Sequence, residues 1–299
     1  TQWCDIYCPP QISSFPRNSS ALISILGMAG VSNYYEIGSW PGGVATMSEA
    51  LAEGVKKQGH DRIRTGACVV RVANTTDEKA VDVTYLQANE LYTIRSKTCI
   101  WGGQKNIARY AILGMTQVQK DAIGKMDYLD ISMINLCYDR TIYNEDFITW
   151  LDNAPIQNFT PADWVLNRGR TSKDAPQILS CDWANRPEHR ALLLRDEWVV
   201  QQCQRTAHRL NEIFPGSIDH LEEIRVLLRA HSWVNYSPGY LMDVMPVVSQ
   251  DIGRIVMTYS DHGSFRESMH AGIESAETVS YTHLRAHETE AAVVCRLLV

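Results

Sequence analysis

Hydrophobic positions in the first third of the chain predict one helix followed by several short strands. Met47, Leu51 and Val55 recur every four residues, which is the spacing of one helix face, and Gly59 ends that run. Farther along, apolar residues alternate with polar ones, which is typical of half-buried strands. The predicted elements are, in order, a helix over 46–58, a strand and tight turn over 61–66, strands over 67–72 and 81–85, a turn at Asn89-Glu90, and strands over 91–94 and 96–101.

The longest amphipathic pattern lies between residues 195 and 214 and predicts a helix, which Phe214-Pro215-Gly216 stops. Its apolar stripe consists of Trp198, Val199, Cys203, Thr206, Leu210 and Ile213. The other elements predicted in this half are a helix over 116–125, a strand over 131–138, a strand within 186–194, a short helix over 218–223 and a strand over 224–228.

The pattern near the end of the chain predicts a short buried strand at Ile255–Met257, a polar turn containing Asp261, and a helix from Ser264. Such a helix N-terminus, next to an acidic turn, can offer a dinucleotide backbone N–H groups and the positive end of a helix dipole. Small residues three to four apart would let a ring or backbone approach that helix. They are Ala271, Gly272, Ser275 and Ala276. An ordinary strand-to-helix connection is the alternative.

Composition and charge narrow the class of protein. The chain has 299 residues, 45% of them hydrophobic and 21% charged, which predicts a globular protein of about two domains. Its net charge of -6 argues against a nucleic-acid or anionic-membrane partner. The longest apolar run, 21–31, is too short to span a bilayer. No signal peptide opens the sequence, and Thr1 in place of an initiator methionine leads us to expect that the chain was cut upstream.

Eight cysteines are scattered along the chain. Cys4 and Cys8 form the only close pair, and neither a second pair nor a nearby histidine completes a zinc site. We therefore expect reduced thiols in an intracellular, cytoplasmic protein and no bound metal.

Several stretches resemble, in order along residues 40–279, the FAD-dependent amine oxidase family. They are Pro41-Gly42-Gly43 before a helix, the strands and hairpin of 61–103, the helix ending in Phe214-Pro215-Gly216, the aromatic segment 230–239, and the closing stretch 255–279. The resemblance implies an α/β fold, an incomplete FAD-binding Rossmann-like domain with an inserted α+β substrate domain. The implied parts are a substrate-domain remnant at 1–39, FAD-binding segments at 40–110 and 231–279, and the substrate domain at 111–230.

The resemblance also implies cofactor-binding positions in the first FAD-binding segment. The backbone of Val69 would meet the adenine, and Gly102 and Gly103 would lie near the ribose or pyrophosphate. The family usually has a small residue and a proline at that strand end. Trp101 and Gln104 depart from this pattern, so the detailed contacts made there are open.

In the second FAD-binding segment the resemblance gives Asp261 the task of orienting the ribityl or pyrophosphate region. The backbone N–H groups of Glu267, Ser268 and Met269 would face the pyrimidine edge of the flavin. A structural helix cap is the alternative for Asp261, and surface placement the alternative for Glu267.

Trp233 and Tyr236 would border the substrate cavity above the ring, with core packing as the equal alternative. No catalytic side chain is assigned. Oxidation by a flavin needs few protein acids or bases, because the cofactor accepts the hydride.

The glycine fingerprint that binds the pyrophosphate, G-x-G-x-x-G after a first strand, is absent from the sequence; Gly27-Met28-Ala29-Gly30 has the wrong spacing. We therefore expect a C-terminal fragment that lacks the first βαβ unit and alone binds FAD weakly or not at all. Residues 280–299 resemble a translated sequencing adapter and are set aside as a non-native tail.

Together these observations predict an FAD-dependent oxidoreductase that takes a hydride from the carbon next to nitrogen in a small-molecule amine. Two alternatives stay open: a flavin-dependent desaturase or isomerase of the same superfamily, and a non-catalytic binding protein that kept the flavin fold. Substrate identity, electron acceptor and oligomeric state do not follow from the sequence.

Overall fold

A computed structural model of the chain describes residues 19–22, 25, 40, 42–58, 63–145, 148–152, 154–162, 175–258, 269–279 and 294–296; of 269, 270 and 294–296 it describes only the backbone. The strands are β1 (Cys68–Asn74), β2 (Val81–Gln87), β3 (Glu90–Ser96), β4 (Thr98–Trp101), β5 (Tyr128–Tyr138), β6 (Thr149–Trp150), β7 (Asn158–Pro161), β8 (Gln177–Asn185), β9 (Leu221–Leu227), β10 (Trp233–Val234), β11 (Ile255–Met257) and β12 (Val294–Arg296). The α-helices are α1 (Ala45–Lys56), α2 (Lys105–Ala111), α3 (Gln117–Gly124), α4 (Asp196–Ile213), α5 (Met245–Val248) and α6 (Met269–Val279).

Contacts divide the chain into two compact units. The first unit comprises Thr1–Met47 and Tyr128–Ser237, and the second comprises Ser48–Asp127 and Pro238–Val299. The predicted domains have their limits at 110/111 and 230/231, before the unit boundaries at 127/128 and 237/238, and they stay a prediction.

In the second unit β1, β2 and β3 form an antiparallel sheet in that order. Val81, Val83 and Tyr85 are buried on one face of β2, as the alternation predicts. Ala88 and Asn89 connect β2 to β3 with φ angles of 50° and 63°. Both angles lie in the left-handed region that two-residue hairpin turns require. A turn is therefore present one residue before the predicted position, because Glu90 already pairs with Gln87 as the first residue of β3.

A parallel sheet in the same unit has the order β11-β4-β12. Cys99 of β4 pairs with Ile255 of β11, and all three residues of β11 are buried. The predicted strand at Ile255–Met257 is therefore confirmed. On the other edge of β4 lies β12, although the sequence analysis set that terminal segment aside. A short apolar stretch can add to an unpaired strand edge through backbone hydrogen bonds alone, without any sequence pattern.

In the second unit, the sequence predicted one of the helices following β4 correctly and gave no sign of the shorter ones. The helix over 116–125 is confirmed as α3, which Thr116 and Gln119 begin with a reciprocal capping box. The sequence analysis missed α2, and it missed Tyr240–Val244, a turn of π-helix that continues into α5. Segments this short carry too few residues to show a period.

The first unit is built on a six-stranded antiparallel sheet with β5 at its centre. The strand order is β10-β5-β8-β7-β6, and β9 pairs with β5 on the same edge as β10. The predicted helix over 195–214 is confirmed as α4, whose stripe packs on one face of this sheet. The buried core between them includes Ile134, Leu136, Phe159, Leu179, Cys181, Trp183, Cys203, Ala207 and Leu210.

Three local predictions were wrong. The strand expected within 186–194 is a 3-10 helix, Pro187–Leu194, because proline at the first position fixes φ and lacks an N–H for a ladder. The helix expected over 218–223 is only a 3-10 turn, Ser217–His220, after which β9 begins. Of the strand expected before Gly66, residues 61 and 62 lie outside the described residues and 63–65 form no strand; Gly66 itself has a φ of 67°, which bends the chain.

Across the part of the chain that the structure describes, we find no helix with both the length and the apolar character needed to cross a membrane.

Candidate functional site

In the second unit, the carboxyl ends of β4 and β11 lie side by side. Gly102 and Gly103 follow β4, and Thr258 follows β11. The N–H of Thr258 donates to the carbonyl oxygen of Trp101 at 3.0 Å, so the two strands stay paired one residue beyond β11. Ligands of parallel α/β sheets bind outside the carboxyl ends of the strands, which makes this edge the candidate nucleotide site.

Lys105, the first residue of α2, is buried at this edge with 0% of its surface exposed. Its Nζ donates to the carbonyl oxygen of Thr258 at 3.0 Å, and the hydroxyls of Thr258 and Ser275 hydrogen-bond each other. Because a buried ammonium is costly unless it is hydrogen-bonded, Lys105 fixes the chain after β11 to α2. The sequence analysis missed this residue, since a lysine in a short helix normally lies on the surface.

Val69 is half-buried on β1, which is an edge strand of the antiparallel sheet. It pairs with Tyr85 on one side, and a β-bulge follows between Val69 and Arg71. On the other edge of β1, the described residues form one isolated β-bridge, between Val72 and Ile112, and no further strand pairing. The Val69 backbone is thus at a sheet edge, where main-chain groups can meet a ligand.

Gly102 and Gly103 are half-buried directly after β4. A Cβ atom on Gly103 would lie 3.1 Å from Cζ2 of Trp101, whose indole Nε1 donates to the Gln104 carbonyl oxygen at 3.4 Å. Trp101 and Gln104, the two departures from the family pattern, therefore interact with each other. The indole ring alone accounts for glycine at position 103, and a cofactor contact there stays a prediction.

The predicted acidic turn cannot be placed in the same way. Asp261, Glu267 and Ser268 lie outside the described residues, and of Met269 only its position as the first residue of α6 is described. Their cofactor contacts stay predictions.

On α6 the buried side chains are Ala271, Ser275 and Val279, each four residues from the next. Gly272 is half-buried and a Cβ added to it would meet nothing within 4 Å, whereas Ala276 is exposed. Ala271 and Ser275 thus lie against the rest of the unit, whereas the approach of a ring or backbone to Gly272 and Ala276 stays a prediction. A helix repeat of 3.6 residues turns position 276 away from the row that 271 and 275 define.

The first unit contains a cavity of about 330 Å³ on the face of its sheet that α4 does not cover. Its lining residues are Ile131, Met133, Asp182, Leu227, Arg229, Ser232 and Trp233. Trp233 also packs against a small apolar cluster beside the cavity, formed by Leu129, Ile131 and Ala184. Tyr236, by contrast, is buried with 3% exposed, and the cavity lining does not include it. The role of both aromatic residues in a substrate site stays a prediction.

Asp182 is the acidic residue of this cavity wall. Its Oδ2 accepts a hydrogen bond of 2.9 Å from Nδ2 of Asn158, which pairs with it across β7 and β8. Burial raises the pKa of Asp182, and the hydrogen bond from Asn158 opposes that rise. Within the described part of the chain no cation forms an ion pair with this carboxylate.

A second buried carboxylate, Asp130, lies on the opposite face of the sheet, which α4 covers. It is 0% exposed and accepts hydrogen bonds of 2.8 Å from Ser132 Oγ and from Asn185 Nδ2. Desolvation raises its pKa to about 6, against the lowering effects of Ser132, Asn185 and nearby Arg190. The sequence analysis assigned neither carboxylate, because an aspartate within a strand gives no signal of its partners.

Metal chemistry has no evident place in the described ranges, where no group of three or more histidine, cysteine, aspartate or glutamate residues could hold an ion. Among the cysteines whose side chains are described, Cys68, Cys137, Cys181 and Cys203 are free thiols.

Comparison with known proteins gives a likeness at the level of structure alone. No protein-family model matches the sequence, and no curated protein matches it either. Among solved structures, cyclohexylamine oxidase from Brevibacterium oxydans IH-35A superposes on 96% of this chain with a TM-score of 0.70 and 10% sequence identity. The chain spans 64% of that enzyme's length. The predicted mixed α/β fold, with a partial Rossmann-like domain, is thereby confirmed.

Proposed function

We propose that this chain is part of an FAD-dependent oxidoreductase that takes a hydride from the carbon next to nitrogen in a small-molecule amine. The observation that carries the proposal is the likeness of nearly the whole chain to an amine oxidase structure. The parallel pairing of β4 with β11 adds support, because parallel sheets bind ligands at the edge where the carboxyl ends of their strands meet. At that edge the hydrogen bond from Lys105 to Thr258 joins residues 153 positions apart.

Some of the described residues are placed where they could contact FAD. The edge position of Val69 suits a backbone contact with the adenine, and Gly102 directly follows the central parallel strand. Gly103 fits less well, because the Trp101 ring fills the adjacent space. The proposal keeps Asp261, Glu267, Ser268 and Met269 as the residues that would hold the rest of the cofactor. When bound, the flavin supplies the hydride acceptor.

Residues of this chain would supply binding and positioning around that chemistry. The hydrogen bond from Lys105 to Thr258 holds the start of the segment that leads to Asp261. Trp233, on the cavity wall, and Tyr236, in the core nearby, are the proposed aromatic residues on the substrate side. The oxidised amine would leave as an imine and hydrolyse in water.

The proposal is tested by titrating FAD into two purified proteins: this chain, and a copy extended upstream to include the glycine fingerprint expected there. We expect tight binding and yellow colour in the extended copy, weak or no binding in this chain, and peroxide release on adding cyclohexylamine. A folded extended copy that binds no FAD would overturn the proposal. Bound flavin without turnover on amines would favour the binding-protein alternative, and turnover of a carbon substrate without nitrogen would favour the desaturase or isomerase.

An Asp261→Ala variant of the extended copy sharpens this test. We expect it to weaken FAD binding about tenfold, because it removes a charged hydrogen-bonding group from the cofactor. Glu277→Ala, an exposed position on α6, is the matched control and should bind FAD normally. Equal affinity in both variants would remove Asp261 from the site and leave the rest of the proposal standing.

A further inference from the structure

The cavity of the first unit combines two opposite charges with an apolar middle. Asp182 contributes a carboxylate and Arg229 a guanidinium, whereas Ile131, Met133, Leu227 and Trp233 supply apolar surface. All of these lining residues belong to the first unit. A volume of about 330 Å³ suits a small molecule.

Strand register separates the two charges. Asp182 of β8 lies directly opposite Met133 of β5, and Met133 lies opposite Leu227 of β9. Two strand spacings amount to roughly 10 Å, and Arg229 follows two residues beyond Leu227. The apolar side chains of Met133 and Leu227 therefore lie between the carboxylate and the guanidinium.

The two charges do not neutralise each other. No ion pair joins Asp182 and Arg229, and the pKa of Asp182 is raised by burial without any lowering by Arg229. A half-buried carboxylate in this state gains from a cation that enters the cavity, since the cation offsets part of its desolvation. Asn158 holds the carboxylate in place through its hydrogen bond to Oδ2.

The main chain beside Arg229 is fixed at the cavity. Its N–H donates to Ser132 Oγ at 3.1 Å, and its carbonyl oxygen accepts from Ser232 Oγ at 3.1 Å. The exposed guanidinium thus extends from a rigid attachment point, which limits the conformational entropy lost when it binds an anion. Arginine suits a carboxylate because its planar donors can bind both oxygens.

We propose that this cavity binds a small zwitterion, with an ammonium group at Asp182, a carboxylate at Arg229, and an apolar segment between them over Met133 and Leu227. The proposal rests on the proposed function and narrows it, because it adds a carboxylate to the amine substrate. Asp182 and Arg229 act in binding, and neither transfers a proton.

Calorimetric titration of the flavin-free chain with three matched probes tests the proposal: 6-aminohexanoate carries both charges, hexylamine lacks the carboxylate, and hexanoate lacks the ammonium. We expect 6-aminohexanoate to bind at least about tenfold more tightly than either single-charge probe, since a hydrogen bond to a charged group is worth about that much. Far-UV circular dichroism and a cooperative melt establish beforehand that the chain is folded.

Two substitutions assign the two ends of the probe. Asp182→Asn keeps the acceptor for Asn158 and should abolish the preference of 6-aminohexanoate over hexanoate. Arg229→Gln should abolish its preference over hexylamine. Asp219→Asn and Arg205→Gln, at exposed positions outside the cavity lining, are the matched controls and should bind all three probes as the parent does.

Two results would overturn the proposal. Equal binding of hexylamine and 6-aminohexanoate, unchanged by Arg229→Gln, would make this a site for plain amines, and the proposed oxidase function would stand. No binding of any probe to a folded chain would remove the cavity as a ligand site. Failure of the proposed function appears separately, as a folded extended copy that does not bind FAD.

Discussion

The two faces of the six-stranded sheet differ in how they are covered. One face is packed by the apolar stripe of α4 and encloses Asp130 among hydrogen-bonding side chains. On the other face, the described residues form a small apolar cluster around Leu129 and, beside it, the cavity with Asp182 in its wall. Both carboxylates have raised pKa values because of burial, and of the two Asp182 lines the cavity described above. A perturbed pKa thus indicates a candidate site only together with a cavity.

The largest expected difference between the faces concerns packing. Phe159 is 0% exposed under α4, where its ring contacts Tyr143 and Phe214. We expect Phe159→Ala to lower the free energy of unfolding by about 3–5 kcal/mol, because it leaves a cavity in a closed core. Met133→Ala, on the open face, should cost about 1 kcal/mol or less. Urea denaturation followed by tryptophan fluorescence measures both, and similar losses would show that the two faces are equally packed.

A smaller effect should appear in the pH dependence of stability. The pKa of Asp130 is about 6 when folded, against 3.8 when exposed, so the folded state holds a proton more firmly. Ionisation of Asp130 therefore has no effect on the free energy of unfolding well below pH 3.8. It lowers the free energy of unfolding as pH rises from 3.8 to 6, by on the order of 3 kcal/mol in full.

Asp130→Asn should flatten the free energy of unfolding between about pH 4 and pH 6, since it removes the titrating group. Denaturation curves across this range provide the measurement. Asp219→Asn, at an exposed position, serves as the control and should keep the slope of the parent. An unchanged slope in Asp130→Asn would mean that another group titrates there.

The smallest expected effect tests how the open face holds its carboxylate. Asn158→Ala removes the donor to Asp182, which should raise the pKa of Asp182 further and cost about 1 kcal/mol of stability. If Asp182 binds an ammonium group, 6-aminohexanoate should also bind a few-fold more weakly at neutral pH. Loss of stability with unchanged binding would show that Asn158 only supports the sheet.

Sequence alone predicted the elements whose pattern is long or chemically distinct. The stripe of α4 spans five turns, the capping box of α3 is local, and Asn89 tolerates the left-handed turn between β2 and β3. Single-turn elements such as Tyr240–Val244 escaped prediction, and so did the 3-10 helix that begins at Pro187, where proline outweighed a strand-like apolar run. In each case tertiary packing and backbone chemistry determined the local conformation, which composition alone could not predict.

The candidate sites were less predictable than the fold. The role of Lys105 depends on a carbonyl oxygen far away in sequence, and that of Asp182 depends on the strands that flank β8. Neither relation leaves a local signal. The resemblance to a family supplied Val69 and Trp233 as candidates, but it supplied neither Lys105 nor the two charged residues of the cavity, Asp182 and Arg229.

The pairing of β10 with β5 has a consequence for how the chain reaches its native state. Val234 lies opposite Tyr128, so the stretch from Tyr128 to Val234, which lies between β4 and β11 in sequence, begins and ends at nearly the same point. If this segment folds first, the chain that must still be closed to pair β4 with β11 shortens from 102–254 to the two stretches 102–127 and 235–254, which lowers the entropic cost of loop closure by on the order of 1 kcal/mol. We therefore expect folding of the stretch from Tyr128 to Val234 to favour the pairing of β4 with β11 modestly, and its unfolding to weaken that pairing by a similar amount.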